Sequence, residues 1–229
     1  MLRAVLIFGL NLVAVRAADI EGYVVIERQL TRPTVTAVAR SYERGVSVDL
    51  GSGQQEDPLA LERTRVVIYL EGQLLSPPVT ATLDQKHQRF VPDTLVVSAG
   101  STVSFPNFDP IFHNVFSLSK AKSFDLGNYP KDHTRRVTFP TPGIIFVHCH
   151  LHPNMAAAIV ISPNQWNTKA DGTGRFVRSS VPSGSYTIVA WHKAAGFFRQ
   201  PIRVSPNRPT SVQFVIPLDE SGANVVARR

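Results

Sequence analysis

The amino-acid sequence predicts an all-β protein made of two β-sandwiches. Its 229 residues are 43% hydrophobic and 18% charged, a composition that excludes disorder and a coiled coil and allows one large domain or two small ones. The chain contains 13 Phe, 17 Pro and 14 Gly, together with long runs rich in Val, Ile and Thr. Short strands joined by turns account for this combination better than helices do.

The first 17 residues have the pattern of an export signal. A basic start at Arg3 leads into the apolar stretch 4–15, and small residues around Ala17 form a cleavage site before Ala18. The apolar stretch is too short to span a bilayer. We therefore expect residues 1–17 to be removed, the mature chain to have no membrane span, and the protein to be exported to the bacterial periplasm.

The net charge bears on partners rather than on fold. The chain carries a formal charge of +7 at pH 7, which suits an acidic partner. The Lys and Arg residues are scattered, and no basic stripe with interleaved aromatic residues is present. We therefore expect no nucleic-acid partner.

The remaining segments alternate strand patterns with turn residues. The stretch 40–62, which contains Gly51 and Gly53, has no strand pattern and is expected to be an exposed loop. The predicted strand segments are 20–25, 66–72, 90–97, 100–105, 113–116, 144–149, 171–176 and 181–191.

The only cysteine, Cys149, lies among metal-binding residue types. An exported chain normally uses cysteine in pairs, but a single thiol allows no internal disulfide. Three of the seven His, namely His148, His150 and His152, and one of the two Met, Met155, follow or flank it within seven residues. A thiolate, imidazoles and a thioether select copper, and a trigonal His₂Cys site with a distant axial Met transfers electrons.

A trigonal His₂Cys site needs a second imidazole from another segment of the chain. The spacing of Cys149, His152 and Met155 suits a loop that leaves a strand and folds back over a metal. His113 lies in the apolar segment 105–116 and is the candidate for the second imidazole. A lone apolar His is more commonly a core residue that is satisfied by hydrogen bonds, but the companion motif favours a ligand here.

These segments together resemble the cupredoxins, most closely the plastocyanin and amicyanin type. The resemblance runs from about Val79 to Ser162. It implies a Greek-key β-sandwich that holds one type 1 copper, and it implies that Asn114 steadies the ligand loop from the second shell. The motifs that carry it are 90–97, 100–105, Asn107, Asp109, 113–116, Pro142-Gly143, 144–149 and the loop 149–155, and the copper ligands that it implies are His113, Cys149, His152 and Met155.

The segments outside this region resemble a carboxypeptidase regulatory-like, transthyretin-like sandwich. The Asp-Gly hairpin at 171–176 and the strand after Pro182 carry that resemblance, and Trp166 and Trp191 are expected to be its core aromatic residues. The matching opening strands precede the cupredoxin segment. We therefore expect a discontinuous sandwich, and similar chains are labelled methylamine-utilisation proteins. The expected division is a signal peptide at 1–17, the second sandwich at 18–78 and 163–219, the cupredoxin domain at 79–162 and a tail at 220–229.

His148 and His150 raise the question of a second metal. Side chains alternate along a strand, so both imidazoles lie on the face opposite Cys149. The His-Cys-His triplet also resembles the multicopper oxidases, although that family needs further His-x-His pairs. The third ligand would be His192, with His87 and His133 harder to place. The alternative is that both His pack between the sandwiches or face solvent.

The sequence analysis therefore indicates an electron carrier. Its alternatives are a small copper enzyme with a second copper at His148 and His150, and a copper-binding carrier. By analogy with the family, electrons would pass through His152 to or from a redox partner protein. The net positive charge of this chain suits an acidic partner. The apolar patch around His152 would include Pro106, Pro110, Ile111 and Pro153, and the steering charges would be Lys120, Lys122, Lys131, Arg135 and Arg136.

Overall fold

The computed structural model describes residues 17–31, 57–72, 74 and 76–216, which form 17 strands and one short helix. The all-β prediction is confirmed. The elements are β1 Ala17–Ile26, α1 Ala60–Thr64, β2 Val67–Glu71, β3 Thr80–Thr82, β4 Asp84–Lys86, β5 Arg89–Val91, β6 Thr94–Ser98, β7 Thr102–Pro106, β8 His113–Ser119, β9 Lys122–Tyr129, β10 Thr134–Thr138, β11 Gly143–His148, β12 Ala156–Ser162, β13 Asn167–Lys169, β14 Arg175–Pro182, β15 Gly184–His192, β16 Gly196–Val204 and β17 Thr210–Ile216.

Two sheets combine strands from both ends of the chain. In sheet I the order is β14-β1-β17, with β1 antiparallel to β14 and parallel to β17. In sheet II the order is β13-β2-β15-β16, and all its neighbours are antiparallel. The N-terminal strands β1 and β2 are thus interior strands of sheets whose other members follow residue 163.

The intervening segment forms two further sheets. Sheet III has the order β6-β12-β11-β8-β9, and sheet IV has the order β10-β7-β3. The hairpin of β4 and β5 forms a separate two-stranded sheet. The pairs β12-β6 and β3-β7 are parallel, whereas the other neighbours in these sheets are antiparallel.

Three apolar cores lie between the four sheets. The first fills the space between sheets I and II and includes Ile20, Leu70, Trp166 and Phe214. The second lies between sheets III and IV. The third joins the two sandwiches through sheets II and III, and its buried members are Val67, Tyr69, Ala158, Val160, Val189 and Trp191. The sheets therefore stack in the order I, II, III, IV.

Burial on both faces explains the unbroken apolar runs of the two inner sheets. In β12, residues 157–162 are all buried. Ile159 and Ile161 point into the second core, whereas Ala158 and Val160 point into the third. A strand covered on both faces has no solvent side, so it reads as a continuous apolar run rather than an alternating one.

Polar contacts also join the two sandwiches. The Arg65 guanidinium lies 2.6 Å from Asp93 Oδ2 through both Nε and Nη2, and Lys169 Nζ donates to the Thr94 carbonyl oxygen at 2.8 Å. Arg65 and Lys169 lie in the second sandwich, whereas Asp93 and Thr94 belong to the segment with sheets III and IV. These contacts supplement the apolar third core.

Glu62 corrects part of the loop prediction for residues 40–62. Residues 40–56 lie outside the described chain, but Glu62 lies in α1 and is buried. Its Oε1 accepts the Thr31 backbone N–H at 2.8 Å, and its Oε2 lies 3.1 Å from His192 Nε2. Burial lowers the pKa of His192, against the opposing effect of the Glu62 carboxylate. The side chain of Glu62 therefore anchors the short helix α1 inside the molecule.

Other terminal predictions fall largely outside the described residues. The predicted signal peptide has only Ala17 inside them, as the first residue of β1, and the tail 220–229 lies outside.

Trp166 packs in the core of the second sandwich as expected, but Trp191 lies in the third core, between the sandwiches. In the described ranges, no helix is long and apolar enough to cross a bilayer.

We expect Trp191→Ala to destabilise the whole protein by about 3–5 kcal/mol, because it removes the largest side chain of the third core. The measurement is the free energy of unfolding in urea. Leu118→Ala is the matched control, since Leu118 is 82% exposed and its truncation should change stability by less than about 0.5 kcal/mol. A Trp191→Ala variant as stable as the control would contradict this role.

We also propose that the strands before and after residues 79–162 form a single folding unit. A fragment of residues 163–229 lacks β1 and β2, which are interior strands of sheets I and II, so we expect it to be unfolded. Circular dichroism and limited proteolysis of the isolated fragment provide the measurement. A folded, protease-resistant fragment would show that the C-terminal region is independent.

Candidate metal centre

Three side chains of the sandwich of sheets III and IV converge on one point. The ligand atoms of His113, Cys149 and His152 all lie within 4.8 Å of one another, and they are the only such group of three or more His, Cys, Asp or Glu side chains in the described residues. His152 Nδ1 lies 3.1 Å from His113 Nδ1 and 3.6 Å from Cys149 Sγ. Two imidazole nitrogens and one sulfur can therefore face the same metal ion.

Two separate backbone segments deliver these side chains. His113 is the first residue of β8, and Cys149 directly follows β11. His152 lies in the loop to β12, which is closed by a hydrogen bond from the Met155 N–H to the His152 carbonyl at 2.9 Å and another from the Cys149 N–H to the Met155 carbonyl at 3.3 Å. Met155 is buried in the same core as Cys149, so its thioether lies on the buried side of the loop.

Asp109 orients the buried imidazole of His113. His113 Nε2 lies 2.8 Å from Asp109 Oδ2. A carboxylate at that nitrogen holds its proton there and leaves the Nδ1 lone pair free for a metal. This pairing explains why Nδ1, and not Nε2, faces Cys149 and His152.

A hairpin turn holds the Asp109 carboxylate in its place. The backbone N–H groups of His87 and Gln88 donate to its two oxygens at 2.7 and 2.8 Å. Both residues have left-handed backbone conformations, with φ of 56° and 54°, which turn their N–H groups toward the carboxylate. Burial alone would raise the pKa of Asp109, but the Gln88 N–H, the His113 imidazole and the His87 N–H together hold that pKa below its ordinary value.

Asn114 connects the two segments that carry His113 and Cys149. Its backbone N–H donates to Cys149 Sγ at 3.4 Å, and its side-chain oxygen accepts the His150 N–H at 3.4 Å. The Cys149 sulfur therefore accepts a hydrogen bond from the segment that carries His113. These are the contacts through which a residue next to the first His can steady the ligand loop.

The three imidazoles considered for a second metal site are not brought together. His148 is partly buried, and burial followed by the Lys193 charge lowers its pKa. His150 is exposed and stacks on the Phe116 ring at 3.7 Å, whereas His192 is buried against Glu62. As alternation predicts, His148 and Cys149 point to opposite faces. The backbone N–H of His87 donates a hydrogen bond to Asp109, and His133 is exposed.

Exposed apolar residues lie close to His113 and His152 in the sequence. His152 is only partly buried, and burial, followed by the His113 charge, lowers its pKa. Of the residues predicted to form an apolar patch, Ile111, Pro110 and Pro153 are exposed and Pro106 is partly exposed. Large apolar side chains in the same segments that were not part of that prediction are also exposed: Phe108, Phe112 and Leu151.

Two acidic residues of the centre were given no role in the sequence analysis. Asp109 appeared only within a family motif, although its spacing of four residues from His113 is a signal that could have indicated the contact. Asp125 contacts Asn114 and His150, and no local spacing relates it to Cys149. Its position depends on strand pairing.

Comparison with known proteins identifies structural likeness to copper proteins over part of the chain. No protein-family model and no curated protein matches the chain. A Cu-containing nitrite reductase from Thermus scotoductus is 25% identical, with a TM-score of 0.34, over 38% of this chain and 23% of that one. This chain thus spans about a quarter of the reductase.

Two smaller proteins match over most of their own length. A Cu(I) amicyanin variant is 22% identical, with a TM-score of 0.35, over 36% of this chain and 82% of that one. A purple cupredoxin from Nitrosopumilus maritimus is 20% identical, with a TM-score of 0.33, over 36% of this chain and 99% of that one. Because all these TM-scores are low, the function of this chain is inferred from its own side chains.

We expect Asp109→Asn to lower the free energy of unfolding of the metal-free protein by about 1–3 kcal/mol at neutral pH. One amide oxygen cannot serve the three donors of His87, Gln88 and His113, so a buried donor is left unpaired. Urea denaturation measures the change. Asp132→Asn removes the same charge at an exposed turn and should leave stability within about 0.5 kcal/mol. Equal effects of the two substitutions would contradict the orienting role of Asp109.

Proposed function

We propose that this chain is an exported, cupredoxin-like type 1 copper protein that transfers single electrons. The proposed ligands are His113 Nδ1, Cys149 Sγ, His152 Nδ1 and, on the axis, the Met155 thioether. The observation that carries the proposal is the convergence of two imidazole nitrogens and one thiol sulfur within 4.8 Å beside a buried methionine. That donor set is typical of blue copper.

The chemistry of the donors favours copper over zinc. A closed tetrahedral zinc site would need a fourth strong nitrogen, oxygen or sulfur ligand. The described His, Cys, Asp and Glu side chains supply only three, and the remaining candidate is a thioether, which suits copper. When bound, copper would supply one-electron oxidation and reduction.

The protein holds the ligand atoms in place before any metal arrives. Asp109 fixes the His113 ring, the Asn114 N–H points at Cys149 Sγ, and the hydrogen bonds of the loop fix His152 relative to Met155. His113, Cys149 and Met155 are buried, so water has little access to the inner side of the site. Ligands that move little between two oxidation states lower the reorganisation that electron transfer requires.

His152 is the proposed point at which electrons enter or leave. It is the most exposed of the three converging side chains, and exposed apolar residues lie beside it in the sequence or beside His113: Phe108, Ile111, Phe112 and Leu151. An apolar surface suits a transient redox partner because it desolvates easily. Lys131, Arg135 and Arg136 are exposed and support an acidic partner, which they would steer.

Export is part of the same proposal. The signal-like N-terminus and the unpaired Cys149 support it, since metal coordination would protect a thiol in an oxidising compartment. We place the protein in the periplasm of a bacterium.

Neither alternative function has a specific contact in its favour. A second copper at His148 and His150 would need a third ligand, and His192 is engaged with Glu62. A carrier that hands copper on would need an accessible, readily released ion. His113, Cys149 and Met155 are instead buried, which favours retention.

Copper-loaded wild-type protein should show an intense visible thiolate-to-Cu(II) band, and Cys149→Ala should abolish it. The band arises from the Cys149 sulfur bound to Cu(II), so removing the sulfur removes the transition. The measurements are absorption and electron paramagnetic resonance spectra, together with metal analysis, for which we expect one copper per chain.

Met155→Leu is the matched control within the same loop. The axial thioether is a weak ligand, so this variant should keep the visible band. A colourless wild type with stoichiometric Cu(II) would overturn the type 1 assignment. Two coppers per chain, falling to one in His148→Ala/His150→Ala, would favour the enzyme alternative.

A further inference from the structure

We propose that Asp125 on β9 is a positioning residue for the metal centre, and this inference rests on the proposed function. Asp125 touches none of the proposed ligands. It instead contacts Asn114 and His150, the residues that directly follow His113 and Cys149. One carboxylate therefore ties together the two strand ends that carry a buried imidazole and the thiol.

A β-bulge places Asp125 where it can reach both partners. Asn114 pairs with Asn128, but Phe116 pairs with Asp125, so the register shifts between them. Gly127 lies within the extra length of β9, with a left-handed φ of 67° that favours glycine. Its N–H donates to Asp125 Oδ1 at 2.9 Å and fixes the carboxylate against its own strand.

The carboxylate decides which way the Asn114 amide points. Asn114 Nδ2 donates to Asp125 Oδ1 at 2.6 Å. With its nitrogen engaged there, the amide presents its oxygen to the His150 N–H, 3.4 Å away. A flipped amide would place its oxygen against the Asp125 carboxylate and its NH2 group against the His150 N–H, and it would lose both hydrogen bonds. Asp125 thus selects the orientation in which Asn114 joins the Cys149 segment.

The second carboxylate oxygen reaches the same segment directly. Asp125 Oδ2 lies 3.4 Å from His150 Nε2, and the face of the His150 ring stacks on Phe116 of β8 with an interplanar angle of 4°. The His150 side chain is therefore held by one residue from β8 and one from β9. His150, the residue after Cys149, is therefore restrained through both its backbone N–H and its side chain.

The contacts of Asp125 act through geometry rather than through surface charge. The Asp125 and His150 side chains are 56% and 52% exposed, and an exposed ion pair contributes little to stability. Outer-shell partners of ligand residues, in contrast, typically change metal affinity by about 10- to 100-fold. A purely superficial ion pair and a positioning residue therefore predict different results.

The test compares Asp125→Ala, Asp125→Asn and Asp132→Asn with wild type. Cu(I) affinity is measured by competition with a chromophoric Cu(I) chelator, and hydrogen exchange of the His150 amide is measured in the metal-free proteins. We expect Asp125→Ala to weaken Cu(I) binding by at least about 10-fold and to speed exchange of the His150 amide. Asp125→Asn retains one acceptor for Asn114 and should show a smaller loss. Asp132→Asn should match wild type in both measurements.

The two readouts separate this inference from the proposed function. A wild type that binds no copper at Cys149 would overturn the proposed function. Faster exchange of the His150 amide in Asp125→Ala would still show that Asp125 holds the segment after Cys149 in place. Copper binding by wild type with unchanged affinity and exchange in Asp125→Ala would overturn the positioning role and leave only a surface ion pair. Should Asp125→Ala fail to fold, the same comparison of Asp125→Asn with Asp132→Asn decides.

Discussion

Burial of the central strands of the two inner sheets on both faces is the constraint on which the rest of the molecule depends. Because strands such as β2 and β12 are covered on both faces, the alternation of side chains along them distributes these side chains between two different cores. In β11, Ile145 and Val147 point into the core between sheets III and IV, and Ile144 and Phe146 face the third core. Cys149 continues the first series, which directs its sulfur inward toward His113.

The side chains of the candidate metal centre lie in this packed region, but polar groups at its edge orient them. Asp109, itself held by the turn at His87 and Gln88, sets the ring of His113. Asn114 links the thiol to the neighbouring strand end. Contacts between separate segments therefore fix the His113 ring and the Cys149 sulfur, while hydrogen bonds within the loop fix His152 and Met155. His152 Nδ1 also lies within hydrogen-bond distance of His113 Nδ1, at 3.1 Å.

The strands and the candidate donors could be predicted from the sequence because both signals are local. Alternation predicts β1, a run of apolar residues predicts β11, and Cys149, His152 and Met155 lie within one loop. The missed features arise from distant pairing. Glu62 lies in a segment without strand pattern, and its burial depends on His192, 130 residues later. Whether Trp191 faced one core or another depended on how the sandwiches stack, which no local pattern encodes.

The position of β1 has a consequence for the order in which the chain can fold. Ile20 pairs with Thr210, so sheet I joins nearly the whole length of the described chain and cannot be completed until the last strand is available. Closing so long a loop is entropically unfavourable until the contacts form, and topologies dominated by distant pairing fold slowly. Sheets III and IV, whose strands are contiguous in the chain, can form first and offer the exposed face of sheet III as a template on which sheet II assembles. The sandwich of sheets III and IV would then act as the folding nucleus, and sheet I would be the last part of the molecule to form.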